Sequence, residues 1–332
     1  MIRYMGSKSR LLPWIHEILS EVVFDSVVDA FSGSGCVSYL FKAMGKKVTS
    51  SDFLQCAATL AKATVENPGI TITADDRALL LSYDPSHRRF IEKTFDGIFY
   101  TSNDLRFLDR TCWNLRKLSD PYKRAMATAA LIRSCVKRQP RGVFTVAGDP
   151  EKYKDGRRDL RLSIHEHFEE QLDVYNMATF DNGRENVALH GDVFDIDPTG
   201  VDLVYFDPPY VPRSDDNCYV KRYHFLEGLS CYWEGADIMQ SSRVKKLEKR
   251  FTPFSYRRTA IDAFDRMFQR FRDSTIVLSY SSNGFPDLDT LRDLLRRYKP
   301  SVRVHERPHR YHFGTHKNVL RNEVTEYLVV GQ

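Results

Sequence analysis

The chain has 332 residues, 42% of them hydrophobic and 28% charged, which is the composition of an ordinary soluble globular protein. This length is sufficient for one large domain and a second lobe. No segment approaches the ~18 consecutive apolar residues of a membrane span, and the N-terminus lacks the features of a secretory signal, so we expect a cytoplasmic protein. The six cysteines include no Cys-x-x-Cys pair, and we therefore expect neither a zinc site nor a disulfide framework.

Basic residues are concentrated in three blocks, although the net charge of the whole chain is only +5. Lys and Arg outnumber Asp and Glu by 11 to 4 in residues 121–161, by 7 to 1 in residues 243–258 and by 9 to 2 in residues 292–321. Such clusters favour a polyanionic partner, although solvated helix faces would produce the same pattern.

Short segments rich in β-branched and apolar residues recur along the chain and predict strands at residues 25–31, 47–51, 186–190, 201–206, 275–280, 302–306 and 326–330. Helical patterns separate several of them, at residues 9–23, 37–44, 54–65, 259–271 and 289–298. This alternation predicts an α/β fold with a mostly parallel sheet and helices on both faces. Only a polar loop separates the last two strands, which predicts one antiparallel strand at the edge of the sheet.

The interval from residue 75 to residue 184 interrupts the alternation, because it is largely helical, with patterns at residues 103–118, 121–136 and 164–177. We therefore predict a catalytic domain made of residues 1–74 and 185–332, with residues 75–184 as an inserted lobe.

A glycine-containing turn follows the first predicted strand, where Gly33 and Gly35 precede a helical pattern. Glycines at a strand-to-helix turn allow a tight bend and the close approach of a ligand. Asp52 lies 19 positions after Gly33, at the end of the next strand, where an acid can bind the hydroxyls of a ribose. The pair predicts a nucleoside-bearing cofactor, whereas the turn alone is equally typical of an ordinary strand-to-helix connection.

Two later strands also end in acids, at Asp192 and at Asp207, which opens the run Asp207-Pro208-Pro209-Tyr210. The prolines cannot donate to a sheet ladder, and Pro208 keeps Asp207 out of the helical region. A carboxylate, the carbonyl of Pro208 and the ring of Tyr210 could together accept both protons of an exocyclic amine and stack on its base. The turn does not distinguish adenine from cytosine, and an ordinary loop remains an alternative.

In these motifs the chain resembles the Dam-like family of S-adenosylmethionine-dependent DNA adenine-N6 methyltransferases. The resemblance covers residues 3–8 (RYMGSK), 28–35 (VDAFSGSG), 51–52 (SD) and 205–210 (YFDPPY), and the helical insertion stands where that family carries its target-recognition domain. It implies a Rossmann-like methyltransferase sheet with an inserted, mainly helical target-recognition domain. The implied reaction is direct in-line transfer of a methyl group to N6 of an adenine flipped out of double-stranded DNA.

The resemblance also implies roles for individual residues. The catalytic residues would be Asp207, Pro208, Pro209 and Tyr210. The cofactor S-adenosylmethionine would be bound by Tyr4, Met5, Gly6, Lys8, Asp29, Phe31, Gly33, Gly35, Asp52, Asp192, Val193 and Asp207. Candidates for DNA contacts are Lys137, Arg138 and Arg141 of the insertion, and Tyr219 and Arg222 of a segment, residues 213–223, that could form a flap over the flipped base.

The expected partners are double-stranded DNA and, functionally, a cognate restriction endonuclease, with the enzyme a monomer in the cytoplasm of a prokaryotic cell or its phage. Methylation of cytosine N4 would use the same pair of acceptors, and a catalytically idle DNA-binding subunit is a further alternative. Methylation of cytosine carbon-5 is not expected, because the chain has no Pro-Cys dipeptide. Four histidines (His305, His309, His312 and His316) fit no common zinc pattern, so we predict a basic, DNA-facing loop and no metal.

Overall fold

The computed structural model describes residues 6–148, 156–211, 219–310 and 323–332, without the side chain of Arg310. Its centre is a seven-stranded sheet in the order β3-β2-β1-β4-β5-β7-β6. The strands are β1 (Ser26–Asp29), β2 (Lys47–Asp52), β3 (Val187–His190), β4 (Leu203–Phe206), β5 (Thr275–Ser281), β6 (Val302–Arg310) and β7 (Glu323–Gly331). All seven predicted strands are confirmed.

Strands β1 to β5 pair in parallel, and β7 runs antiparallel to both β5 and β6. The mixed sheet is therefore confirmed, but the antiparallel strand lies one position inside the edge. The second half of β7 is buried on both faces, as a strand with neighbours on either side requires. Strand β6 carries charged residues along its length and occupies the edge, where such residues hinder unwanted pairing with other chains.

Helices cover both faces of the sheet: α1 (Leu12–Leu19), α2 (Cys36–Ala43), α3 (Gln55–Ala61), α11 (Arg257–Arg270) and α12 (Leu288–Arg296). Val27 and Val28 are successive residues of β1 and so point to opposite faces. Val27 packs in a cluster with Trp14 and Phe41, whereas Val28 packs in a second cluster with Phe264. The sheet thus separates two hydrophobic cores, as the predicted layers require.

Two of the predicted helices differ in extent from the sequence pattern. Pro13 occupies the first turn of α1, where its missing N–H costs nothing, so this helix begins later than the pattern at residue 9. The pattern over residues 54–65 is divided at Ala61, beyond which the chain continues as a π-helix, Lys62–Glu66.

The inserted lobe contains α4 (Ala74–Leu81), α5 (Phe90–Phe95), α6 (Ser102–Leu115), α7 (Pro121–Arg138), α8 (Arg158–Arg161) and α9 (Ile164–Ala178). Helix α10 (Tyr219–Cys231), which follows β4, packs in the same core. The rings of Phe95, Phe144 and Trp233 lie 5.0, 5.2 and 5.3 Å from that of Phe225 on α10. The division at residues 75 and 184 stays a prediction, and this packing adds a second chain segment to the lobe.

Within the described ranges, every helix is too short or too polar to cross a membrane.

Candidate active site

A cleft lies at the carboxyl ends of the four strands β1 to β4, the edge at which ligands bind in open α/β sheets. Its lining includes Phe31 after β1, Phe53 after β2, Gly191 after β3 and Asp207 after β4. Gly6 and its neighbours from the beginning of the described chain close one side. The two motif groups inferred from the sequence therefore face the same cleft.

The glycine turn connects β1 to α2 and forms one wall of the cleft. Gly33 and Gly35 have φ angles of 50° and 73°, in the left-handed region that favours glycine. The N–H of Gly35 donates to the carbonyl of Ser32 at 2.7 Å, which closes the turn. Gly35 is also the N-cap of α2, so the turn directs the amino end of this helix toward the cleft.

Asp52 connects the end of β2 to this turn. Its Oδ2 accepts the N–H of Gly33 at 2.7 Å and its Oδ1 accepts the N–H of Leu54 at 2.8 Å. Burial raises the pKa of Asp52 to about 6, although the donors of Leu54 and Gly33 act in the opposite direction. Each carboxylate oxygen has a second lone pair, so Asp52 can still accept a hydroxyl hydrogen bond.

Asp29 is a second buried carboxylate that lines the cleft, with an exposed fraction of 1%. Its Oδ2 accepts the hydroxyl of Ser38 at 2.6 Å, whereas its Oδ1 has no hydrogen-bond partner among the described residues. Burial raises the pKa of Asp29 to about 7. An unpartnered buried oxygen is unusual, and it indicates a place where a cationic or hydrogen-donating ligand group would be stabilised.

The opposite wall is apolar and aromatic. Asp192 caps the short 3-10 helix Val193–Asp195 by accepting the N–H of Phe194 at 3.0 Å, and Val193 is buried beside it. The ring of Phe254 stacks on that of Phe194 at 6.0 Å and meets that of Phe31 edge-on at 5.4 Å. Sequence reasoning missed Phe254, which reaches the cleft from a short 3-10 helix, Pro253–Ser255, that precedes α11 and carries no motif.

Asp207, which is partly buried, forms an ion pair with the buried Lys8. The Nζ of Lys8 lies 2.8 Å from Oδ1 of Asp207 and donates a further hydrogen bond to the carbonyl of Gly6 at 3.2 Å. Burial raises the pKa of Asp207, and the charge of Lys8 opposes that rise. Lys8 was expected near the cofactor, and the structure also makes it the direct partner of Asp207.

Tyr210 is supported by a second tyrosine. Its ring meets that of Tyr280 edge-on at 5.4 Å, and Tyr280 is buried at the end of β5. A Cβ at Gly284 would lie 2.8 Å from the ring of Tyr280, so glycine is required there. Sequence reasoning missed Tyr280, although an aromatic residue at the end of the neighbouring strand was a usable signal.

The candidates for DNA contacts occupy different environments. Arg138 is buried with an exposed fraction of 8%, and its guanidinium donates to the carbonyl of Leu160 and pairs with Asp104. This burial argues against a DNA contact by Arg138, because the side chain is used inside the lobe. Arg141 is exposed and remains a candidate.

Three other candidates lie in partly buried positions. Lys137 forms an ion pair with Asp159 at 2.8 Å. Arg222 is half-buried on α10, and its backbone carbonyl accepts the N–H of Phe144 at 2.9 Å. Tyr219 lines the cleft itself, where a Cβ at Gly6 would lie 3.3 Å from its hydroxyl.

Several predicted residues lie outside the described part of the chain. They are Tyr4, Met5, residues 212–218 of the expected flap, His312 and His316.

Arg250 also lines the cleft and is paired with Glu227 behind it, and sequence reasoning missed both residues. The carboxylate of Glu227 accepts the N–H groups of Gln55 and Cys56 at 3.1 and 3.0 Å, and so caps the amino end of α3 from a distance. Arg250 lies 3.3 Å from Glu227 and lines the cleft. The one signal in the sequence was Leu54, the N-cap residue of α3, because its apolar side chain cannot accept a hydrogen bond from the first turn of that helix.

Comparison with known proteins identifies the chemistry. Residues 4–281 match the family model of the D12 class N6 adenine-specific DNA methyltransferases. The chain is 28% identical to Type II methyltransferase M2.HphI of Haemophilus parahaemolyticus, over 99% of the chain and 97% of that protein. It is 23% identical to modification methylase StsI of Streptococcus sanguinis and 21% identical to modification methylase LlaI of Lactococcus lactis subsp. lactis.

These last two alignments include 98% and 97% of the chain but only 51% and 53% of the relatives, so the chain spans about half their length. The family model identifies adenine N6 as the methylated position, and the relatives are enzymes of restriction-modification type. The expected fold class, reaction and enzyme class are thereby confirmed. The chain belongs to the D12 class of N6 adenine-specific DNA methyltransferases.

Proposed function

We propose that this enzyme uses S-adenosylmethionine to methylate an adenine flipped out of duplex DNA, with Asp207 and the carbonyl of Pro208 accepting the two protons of its amine. The observation that carries this proposal is the continuity of the cleft. Gly33 and Asp52 line the same cleft as Asp207 and Tyr210. A methyl donor at the first pair and an amine at the second would therefore be neighbours.

The residues of the cleft fit S-adenosylmethionine. Asp52 and the glycine turn offer acceptors and backbone donors to a ribose, and Val193 and Phe254 offer an apolar wall to an adenine ring. The unpartnered oxygen of Asp29 suits the positive charge of this cofactor. When bound, S-adenosylmethionine supplies an electrophilic methyl group that an amine nitrogen can take by direct in-line transfer.

Phe31, Asp192, Lys8 and Gly6 also line the proposed cofactor pocket. Gly35 would shape it through the glycine turn, as the N-cap of α2. Tyr4 and Met5 remain proposed contributors.

The Asp207 turn would activate the amine by accepting its protons. The lone pair of an adenine amine is delocalised into the ring, and hydrogen bonds from both protons to Asp207 and Pro208 favour a tetrahedral nitrogen. Lys8 occupies Oδ1 of Asp207, so Oδ2 is the oxygen proposed to accept an amine proton. The same lysine favours the ionised state of this partly buried carboxylate.

Tyr210 would hold the extruded base by stacking, and Pro209 fixes its distance from Asp207. Flipping a base costs a few kcal/mol, and stacking on an aromatic ring returns about 1–3 kcal/mol. Tyr280 restricts the orientation of the Tyr210 ring by its edge-on contact. The chemistry is thus divided between a turn that positions the amine and a ring that positions the base.

The proposal is tested by incubating the protein with unmethylated duplex DNA and tritiated S-adenosylmethionine, followed by nucleoside analysis. We expect label in N6-methyladenine. Label in N4-methylcytosine, or no label at all, would contradict the proposal. A duplex with 2-aminopurine at the target position should brighten on binding, because the flipped base loses its stacking partners.

Single-molecule sequencing of DNA from cells that produce the protein would identify the recognised site. We place the enzyme in the cytoplasm, as the modification component of a restriction-modification system whose endonuclease is its functional partner. Arg141 is the proposed base-reading candidate of the insertion. Its substitution should relax specificity at one position of the site, whereas uniform weakening across sequences would mean a phosphate contact.

A further inference from the structure

Several cations of two basic blocks are paired with neighbouring acids within the described part of the chain. In the insertion, the pairs are Lys123–Asp76, Lys137–Asp159, Arg138–Asp104 and Arg158–Glu170. On and around α12, they are Arg292–Asp289, Arg296–Asp293 and Arg297–Asp265. A paired cation has to give up its carboxylate before it can bind a phosphate, so charge counts along the sequence overstate the basic surface of these regions.

Strand β6 departs from this pattern. Arg303 and Arg307 are exposed, and neither forms an ion pair with a carboxylate of the described residues. They alternate with valine, glutamate and proline, so Arg303, His305, Arg307 and His309 lie on one face of the strand. The result is a basic stripe on the outermost strand of the sheet.

The pairing of β6 with β7 identifies this face. Arg303 lies opposite Val330 and His305 opposite Leu328, and directly opposed residues share a face. Val330 and Leu328 pack in the core beneath α1. The stripe therefore lies on the same face of the sheet as α1, the helix that follows Lys8 in the chain.

The upper end of this strand pair projects beyond the parallel sheet. Ser281, the last residue of β5, lies opposite Glu326 of β7 in the sheet, and Glu326 lies opposite Arg307 of β6. The β6–β7 ladder continues for three more pairs, to the pair of residues 310 and 323. At about 3.3 Å per residue, this projection, which we call the β6–β7 arm, extends roughly 10 Å past the end of β5. The arm rises from the carboxyl edge of the sheet, where Asp207 lies.

The lateral position of the arm follows from the strand order. Strand β6 lies three positions from β4, the strand that leads into Asp207. Three spacings of about 4.8 Å place the stripe roughly 14 Å from the target-base turn. Successive phosphates of a DNA strand are about 3.4 Å apart along the helix axis, so this distance corresponds to about four nucleotides.

We propose that the basic stripe of β6, at the foot of the β6–β7 arm, is a DNA-backbone clamp, in which Arg307, assisted by Arg303, binds phosphates about four nucleotides from the flipped adenine. This inference rests on the proposed function, because it assumes that duplex DNA delivers its base to the Asp207 turn. The contact is electrostatic and independent of sequence. It holds the duplex in register while the base is extruded.

Charged residues on an edge strand also protect it from pairing with other chains, and charge reversal separates the two roles. Arg307→Glu retains a protective charge but repels phosphate, Arg307→Gln removes the charge, and Arg307→Lys retains a cation. The matched control is Arg296→Glu, which lies in the same basic block but on α12. Thermal melting and binding of S-adenosylhomocysteine establish that each variant is folded.

The readout is DNA affinity as a function of salt concentration, measured separately from methylation. We expect Arg307→Gln to weaken binding by about 3–10-fold and to reduce the salt slope by about 1. Arg307→Glu should weaken it further, and Arg307→Lys and Arg296→Glu should bind as the parent enzyme does. The ratio of affinities for specific and nonspecific DNA should stay unchanged.

A truncated duplex locates the contact. When fewer than about four base pairs remain on the side that faces the arm, the parent enzyme and Arg307→Gln should bind equally. Parental affinity and salt slope in Arg307→Glu, or an equal loss in Arg296→Glu, would overturn the proposal. Failure of the parent enzyme to form N6-methyladenine would instead defeat the proposed function, so the two failures are distinguishable.

Discussion

Two aspartates at strand ends, the buried Asp52 and the partly buried Asp207, differ in how they are held. Both oxygens of Asp52 accept backbone N–H groups, from Gly33 and Leu54. Asp207 is held by a side chain, through the ion pair of one oxygen with Lys8. A carboxylate that accepts two backbone N–H groups fixes the shape of a loop. A carboxylate that is paired through one oxygen with a lysine leaves its second oxygen available to a ligand, and the lysine favours its ionised state.

The largest expected effect is at Asp207, because it is the residue proposed to contact the reacting amine. Asp207→Ala should lower the methylation rate by about 10³-fold, the upper end of the loss for one preorganised transition-state contact. Affinity for S-adenosylhomocysteine, measured by calorimetry, should change little. A variant with the parental rate would contradict the assigned role.

Removal of the Lys8 side chain tests whether its ion pair with Asp207 keeps that carboxylate ionised. We expect Lys8→Met to lower the rate by about 10²-fold and to move the acid limb of the pH–rate profile upward. Burial raises the pKa of Asp207 and Lys8 opposes the rise, so loss of Lys8 raises this pKa further. The ionised, active form is then lost at a higher pH. An unchanged profile would mean that Lys8 does not control the ionisation of Asp207.

Tyr210 lies at the other end of the turn that begins at Asp207, and its proposed role is to stack on the target base. Tyr210→Ala should lower the rate by about 10–100-fold, consistent with a stacking contribution of about 1–3 kcal/mol. Tyr210→Phe should retain most of the activity, because stacking requires the ring and not the hydroxyl. Tyr280→Phe, which also keeps its ring, serves as the control. Equal rates for Ala and Phe at position 210 would exclude stacking.

The smallest expected effect on the maximal rate is at Asp52, whose carboxylate accepts backbone N–H groups. Asp52→Asn should weaken S-adenosylhomocysteine binding by about 10-fold, the loss of one hydrogen bond to a charged group, with little change in rate at saturating cofactor. Because the pKa of Asp52 is raised to about 6, cofactor affinity of the parent enzyme should fall as the pH drops through about 6. The variant should lose the part of this dependence that centres near pH 6 and retain any contribution from Asp29, whose pKa is about 7. A large loss of rate at saturating cofactor would instead assign Asp52 a catalytic role.

The sequence predicted the strands, the glycine turn and the Asp207 turn because each depends on local physics. Alternating burial, the steric limits of Pro208 and the left-handed turn at Gly35 are properties of a residue and its neighbours. The resemblance then supplied roles for residues whose spacing alone left alternatives open. Helix ends were less certain, as the division of the segment after Leu54 into α3 and a π-helix demonstrates.

What only the tertiary structure decided is which distant groups meet. Lys8 and Asp207 are 199 positions apart, Glu227 caps a helix that begins 172 positions earlier, and Arg138 is buried although it belongs to a basic block. A sequence states which residues carry charge, but whether a charge is paired, buried or available depends on the packing of segments that are remote in the chain. For that reason the basic blocks could be counted from the sequence, whereas the exposed positions of Arg303 and Arg307 on β6, without a carboxylate partner among the described residues, could be found only in the folded protein.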